Sequence, residues 1–340
     1  MSVFTSELEA LVAKEPLIPY RAIAERVTAA KGSDLSREER VAISKVCMAR
    51  RYAHKCAEAA EERKTEDEER WGSECVQSTN RFLVLTAYTT DTYYADIGSF
   101  CAAVNTVYCK RHGYLFREVT LPLGEMQAQI APRDFGGYHK VLLLLALLRD
   151  ERAYLTAAGV THILWIDADA CVVEQDVTLE GVLVRAGGGS GCDLVIAEDQ
   201  SPACLLNSGV FMIRVGAWAE RLLQAMWDEP KYHTKRHYEQ SALEKVLKQW
   251  GEGLEAIQPF HSYVSGNRSL KHFPHVCVLP RRDFNTHLVD DDAEVVQSDG
   301  QERATFIFHP AGRRGKLELL RKMVQLRAPR DTDTDADTDK

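Results

Sequence analysis

The chain has no long hydrophobic run; its longest, Val141–Leu148, holds eight apolar residues. A helix needs about 20 to cross a bilayer, so no transmembrane segment is expected. The first thirty residues, MSVFTSELEALVAKEPLIPYRAIAERVTAA, have acids early and no unbroken apolar core, which does not fit a signal peptide. Basic residues are short as well. The 42 Lys and Arg face 50 Asp and Glu, for a net charge of −8. That balance lacks the broad basic footprint of a nucleic-acid binder, so no nucleic-acid partner is expected. The nine cysteines include no CxxC pair and are odd in number. Both facts argue against a zinc module and a complete disulfide framework, leaving reduced thiols as the simplest expectation. No internal repeat is present. Lacking a signal or an anchor, the chain reads as soluble and cytoplasmic.

What is there is globular: 45% apolar residues with 27% charged, in a length that accommodates one large domain or two ordinary ones. Composition divides the chain into three. Residues 1–72 are rich in Ala, Glu, Arg and Lys and read as a helical N-terminal extension, with Ser36 and Glu39 at capping-box spacing. Residues 329–340, with the repeat DTDTDADTD, read as a disordered acidic tail; no Gly turn or bidentate Glu completes a calcium loop. Between them, residues 73–328 form the expected catalytic domain. Strand Phe82–Ala87, a helix through Ile97 and Tyr108 capped by Gly113, and strand Tyr114–Leu121 make a β-α-β start, which predicts an α/β fold with crossover helices. A Leu-rich helix after Lys140 continuing into RDERAYL, strands at His162–Ile166, Asp193–Ala197 and Val210–Arg214, and helices Trp218–Trp227 and Glu239–Trp250 follow. A late strand, Thr305–Phe308, feeds a closing helix.

The sharpest feature is HILWIDADACVV, where a strand ends in Asp167 and Asp169 separated by Ala168. Ligands of open α/β sheets gather at the carboxyl ends of strands. Two carboxylates there suit a hard cation, Mn²⁺ or Mg²⁺, and such metals usually also hold a diphosphate. Far downstream, TFIFHPAGRRGK ends another strand with His309, followed by Gly312, Arg313, Arg314 and Lys316. An imidazole completes a shell begun by carboxylates, and the cations can clamp phosphate oxygens. Two further segments have two readings each. Asn207, Ser208 and Gly209 before a strand either contact a hydroxylated ligand or merely begin that strand. Glu239 and Gln240 in the first turn of a helix either face a ligand or reflect ordinary helix-start acidity.

Taken in order, Tyr138-His139-Lys140 before the Leu-rich helix, the DxD strand, the Asn-Ser-Gly strand, the helix opening Glu239-Gln240-Ser241-Ala242, the Arg281-Arg282 to Phe284-Asn285 stretch and the terminal HxxG resemble glycosyltransferase family 34 over about residues 81–320. The resemblance implies a GT-A nucleotide-diphospho-sugar transferase fold, a Rossmann-like mixed sheet flanked by helices. It also implies a retaining, metal-dependent enzyme acting on a UDP- or GDP-linked sugar and a carbohydrate or glycoconjugate acceptor. Asp167, Asp169 and His309 would hold the metal. Lys140 would lie near the donor sugar, and Thr86 and Tyr88 where the first strand meets the nucleotide. Gln240 would stand near the anomeric carbon, with Asn207 and Ser208 lining the sugar and acceptor pocket. Arg313, Arg314 and Lys316 are all candidates for the phosphate clamp. This sequence departs from the family in having Glu239 where Asp is usual, in its doubled and shifted cations, and in lacking the usual Golgi-membrane anchor. Retention fits either a front-face reaction stabilised by Gln240 or direct attack by Glu239.

Two other classes compete. A haloacid-dehalogenase-type phosphatase also carries DxD after an apolar strand, but needs Thr or Val where Cys171 stands and has its DxD near the domain start. A non-catalytic sugar-nucleotide-binding scaffold would not need the complete DxD and His309 set.

Overall fold

Phe82 to Leu85 alternate strictly between two apolar layers: Phe82 and Val84 pack to one side of the sheet, Leu83 and Leu85 to the other. The same period of two runs through Ile163, Leu164, Trp165 and Ile166, as a strand covered on both faces requires. The computed structural model describes residues 20–31, 36, 81–133, 136–187, 192–199, 204–234, 237–252, 254, 271–286 and 306–327. Apart from the helix Tyr20–Lys31 (α1) and Ser36, the expected N-terminal extension lies outside them, as does the acidic tail.

The chain then runs β1 (Phe82–Thr89), α2 (Tyr94–His112), β2 (Leu115–Leu121), α3 (Leu123–Ile130), α4 (Gly137–Arg149) and α5 (Arg152–Ala157). Next come β3 (His162–Ile166), β4 (Cys171–Val172), α6 (Leu179–Arg185), β5 (Leu194–Glu198) and β6 (Leu206–Arg214). The C-terminal part holds α7 (Ala217–Trp227), α8 (Tyr238–Gln249), β7 (Lys271–His272), β8 (Val276–Leu279), α9 (Arg281–Phe284), β9 (Ile307–Phe308) and α10 (Lys316–Arg327). Seven strands form one mixed sheet in the order β2-β1-β3-β6-β5-β8-β7. The β1–β2, β1–β3 and β5–β8 pairs are parallel, while β6 runs antiparallel between β3 and β5. One face is covered by α4, α7 and α8 through Val141, Leu144, Leu222, Leu243 and their neighbours; the other packs on Tyr108, Leu179, Val182 and Phe306.

Gly113 caps α2 at φ 72°, the left-handed conformation its place after Lys110–His112 predicts. Three expectations are corrected. The Leu-rich helix does not continue through RDERAYL; it ends at Arg149 and α5 begins afresh at Arg152. Strand β6 starts at Leu206, so Asn207–Gly209 are part of it rather than a turn before it. Reduced thiols hold for the buried Cys101, Cys109, Cys171 and Cys204, but Cys192 and Cys277 are joined by a disulfide with Cα atoms 5.8 Å apart. No spacing rule links two cysteines so far apart in sequence; β8 lies beside β5 and brings them together.

The site is positioned by two pairings. Because β6 is antiparallel to β3, its beginning meets the end of β3: Ile166 pairs with Val210, and the Asp167 amide donates to the Gly209 carbonyl at 2.8 Å. The second is a two-stranded sheet outside the main one, where Cys171 pairs with Phe308 and Val172 with Ile307. That pairing sets His309, one residue past β9, against Asp169, two residues before β4.

Candidate active site

Asp167, Asp169 and His309 converge although 140 residues of sequence separate the last two. One ligand atom from each lies within 4.8 Å of the others, the one such group of three among the described residues. His309 Nε2 is 3.4 Å from Asp169 Oδ1, and both residues are buried. On its other side the His309 ring meets Asn285 Oδ1 at 3.2 Å, while Asn285 Nδ2 donates to Asn207 Oδ1 at 2.8 Å. Since the Asn285 amide nitrogen is committed to Asn207, its oxygen accepts from His309 Nδ1–H. In the neutral ring, Nε2 then points a lone pair at a carboxylate oxygen. A cation between them resolves that conflict, and a hydrogen-bonded second nitrogen is how ligating imidazoles are usually held.

Two lysines reach the same carboxylates. Lys140, from α4, is buried and donates to Asp167 Oδ1 and to the Ser208 carbonyl, both at 2.9 Å, with Glu239 Oε1 at 3.3 Å. Burial alone would lower its pKa, but Asp167 and Glu239 more than offset that and raise it. Trp165 Nε1 also donates to Asp167 Oδ1, at 2.7 Å, leaving Oδ2 without a donor among the described residues. Lys316 opens α10, and its ammonium donates to Asp169 Oδ2 and, at 3.3 Å, to Tyr94 OH. Burial would raise the Asp169 carboxyl; its contacts with His309 and Lys316 outweigh that and hold the group below the ordinary carboxylate range.

The other polar residues make a connected wall. The Ser208 amide donates to Gln240 Oε1 at 2.9 Å, and its hydroxyl to Glu239 Oε1 at 3.1 Å. Gln240 Nε2 and Asn207 Nδ2 both donate to Asp199 Oδ2, at 2.7 and 3.2 Å. The wall is anchored from below by Glu244, whose Oε1 accepts the amides of Leu205 and Leu206 at the start of β6. Burial raises the Glu244 carboxyl, and these two bonds only partly offset it. Before α8, His237 has φ 65°, a left-handed conformation uncommon outside glycine. Its Nε2 is buried without a hydrogen-bond partner among the described residues, and His237 lines the same cavity as Gln240.

Two cavities meet at the carboxylates. One, of about 430 Å³, is lined by Ala87, Tyr88, Thr89, Lys140 and Trp165; the other, of about 520 Å³, by Asp199, Asn207, His237, Gln240, His309 and Lys316. Tyr94, Asp167, Asp169 and Glu239 border both.

Comparisons with known proteins add little to this geometry. A scan against family models finds no match, so the resemblance to glycosyltransferase family 34 rests on the order of the motifs. A search of curated proteins finds no matching sequence either. Among solved structures, the crystal structure of a glycosyltransferase involved in the glycosylation of the major capsid of PBCV-1 aligns at 13% identity, covering 72% of this chain and 99% of that one, with a TM-score of 0.45. A197 from STIV aligns at 9% identity over 49% of this chain and 78% of its own, with a TM-score of 0.29. At these scores neither likeness carries the functional reading; the site does.

Most residues singled out from sequence converge here: Asp167, Asp169, His309, Lys140, Asn207, Ser208, Glu239, Gln240, Tyr88 and Lys316 line one cavity or both. Three do not. Thr86 is interior, only 2% exposed, because it lies one step deeper in β1 than Ala87–Thr89, the end of the strand that lines the cavity. Arg313 and Arg314 line neither cavity, so Lys316 is the cation the loop delivers. Sequence reading missed Tyr94, Trp165, Asp199 and His237. It also missed Gly137, and it gave no role to the bare backbone of Gly209: a β-carbon on Gly137 would lie 2.3 Å from Glu239 Oε2, and one on Gly209 would meet His309. No helix among the described residues is long and apolar enough to cross a membrane.

Proposed function

We propose that this chain is a retaining, metal-dependent glycosyltransferase of the GT-A type, transferring a sugar from a UDP- or GDP-linked donor to a hydroxyl of a carbohydrate or glycoconjugate acceptor. The observation that carries the reading is the Asp167–Asp169–His309 cluster at the junction of two cavities, each large enough for part of a nucleotide sugar. The motif order resembling family 34 supports it. The ligand set, two carboxylates and an imidazole with a fixed tautomer, suits Mn²⁺ or Mg²⁺. Such an ion, when bound, supplies Lewis-acid stabilisation of a departing diphosphate and a template for it.

The protein's own residues do the rest. The nucleoside occupies the cavity beside Ala87–Thr89, its diphosphate reaches Asp167 and Asp169, and the sugar turns into the cavity of Asn207, Ser208 and Gln240. Lys140, buried and charged, fixes Asp167 and Glu239 relative to the donor. Lys316 lies close enough to the carboxylates to stabilise charge building on the leaving group. Asp199 orients the amide of Gln240, which leaves Gln240 Oε1 toward Ser208. Glu239 Oε1 is similarly held by Ser208 and Lys140. The wall is thus rigid before donor binds, which favours stabilisation of a cationic sugar by fixed dipoles.

The test is a Mn²⁺-dependent thermal-shift screen of UDP- and GDP-sugars, followed by NMR of the anomeric configuration formed. A donor present at 100 times its Kd adds ~2.7 kcal/mol of stability. Absence of any metal-dependent shift or turnover across the nucleotide sugars would overturn the reading.

A further inference from the structure

Lys316 donates to Asp169 Oδ2, one of the oxygens that a cation bound by Asp167, Asp169 and His309 would need. We infer that Lys316 is a resident counterion which a divalent cation must displace, so that metal entry releases its ammonium toward the diphosphate. This rests on the reading of the cluster as a divalent-metal site.

The two lysines of the site differ in a way that assigns this behaviour to one of them. Lys140 is mid-cavity on α4 with three oxygens around it, from Asp167, Ser208 and Glu239. It engages Asp167 through Oδ1 alone, so a cation approaching Oδ2 does not require it to move. Lys316 has Asp169 and Tyr94 as its partners and keeps 10% of its side chain exposed. It is the first residue of α10, preceded by Gly312 at φ 71° and Gly315 at φ 64°. Lys316, at a helix start and held by two partners, has more room to adopt another rotamer than Lys140, which is 4% exposed and held by three oxygens. Asp169 has little to offer a newcomer while it is paired. Oδ2 is taken by Lys316 and Oδ1 faces His309.

The electrostatics give the direction of the coupling. An ammonium on Asp169 lowers the affinity for a second cation both by occupying an oxygen and by repulsion. An ion that binds must therefore pay for moving Lys316, and its apparent affinity falls by the fraction of chains with Lys316 already away. Anything that holds Lys316 elsewhere, such as a diphosphate, raises metal affinity in return, because such coupling is reciprocal. Metal and diphosphate then bind cooperatively through one side chain.

Two measurements test this, using Mn²⁺ alone and the full chain. The first is Mn²⁺ titration of wild type and Lys316→Gln, followed by the EPR signal of the free ion, with near-UV circular dichroism to verify folding. The variant is expected to bind Mn²⁺ about tenfold more tightly. The second needs no variant: the reactivity of Lys316 toward an acetylating reagent, read by mass spectrometry, should rise severalfold when Mn²⁺ is added to wild type. Equal or weaker Mn²⁺ binding by Lys316→Gln, or Lys316 reactivity that stays flat or falls at saturating Mn²⁺, overturns the displacement. If neither protein binds Mn²⁺ at all, the metal-site reading falls and takes this inference with it, a result distinct from binding without displacement.

Discussion

A β-carbon built on Gly209 would lie 2.2 Å from Cε1 of His309 and 2.8 Å from its Nδ1. The imidazole lies against the bare backbone of a buried strand, where any side chain would occupy its place. Gly209→Ala is therefore expected to push His309 off the Asp169 carboxylate. Overpacking of this kind costs about 1–3 kcal/mol. Mn²⁺ binding should weaken by more than tenfold while chemical denaturation shows a still folded protein; unchanged Mn²⁺ binding would mean that the ring is not needed where it stands.

Asp169 has a structural partner that its sequence position does not reveal. Read from sequence, Asp169→Ala should remove a metal ligand without cost to the fold. With Lys316 and His309 packed on it, the loss leaves a cation uncompensated. We expect Asp169→Ala to abolish Mn²⁺ binding and to destabilise by about 2–3 kcal/mol, below the full cost of breaking a buried pair because Lys316 can reach water. Adding Lys316→Met should recover part of that in urea denaturation. No recovery would show that the two side chains are energetically independent.

Glu244 should make stability depend on pH in the opposite sense from an ordinary ion-paired carboxylate. Its folded pKa is raised above the usual 4.5, so the folded protein holds this proton more tightly than the unfolded chain does. Stability from this group is present at and below that value and is lost as pH climbs through the raised one. Glu244→Gln keeps an acceptor for the Leu205 and Leu206 amides and removes the titration. The Tm of the variant should gain on wild type as pH rises from 4.5 to 8. A constant difference across that range would contradict the raised pKa.

The arginines after Gly312 should be dispensable for the donor. Neither lines a cavity, so Arg313→Ala and Arg314→Ala are each expected to leave nucleoside-diphosphate affinity, measured calorimetrically in Mn²⁺, within about twofold. A tenfold loss from either would place a phosphate oxygen where no cavity now leads.

Local pattern made much of this legible. A compact β-rich run located β1, Gly113 marked the end of α2, and an apolar strand running into Asp167 and Asp169 marked β3 and the candidate site. Contacts set by long-range pairing were not legible. Strands β4 and β9 are two residues each, too short for any periodicity, yet they carry His309 to Asp169. Thr86 lies one step before the end of β1 that lines the cavity, a depth that a strand's composition does not reveal. Cys192 and Cys277 join because β8 pairs with β5, a register that cysteine counting does not contain. The room that Gly137 and Gly209 leave was not legible, since the side chains that fill it, Glu239 and His309, come from distant segments.

The β4–β9 pairing also gives the chain an order of completion. Both carboxylates leave the ribosome long before β9 does, and the imidazole follows Phe308. A chain interrupted between Asp169 and that strand carries the acidic pair without the imidazole that faces it. If the cluster holds a divalent ion, as proposed, its full ligand set exists only in molecules whose C-terminal strand has docked.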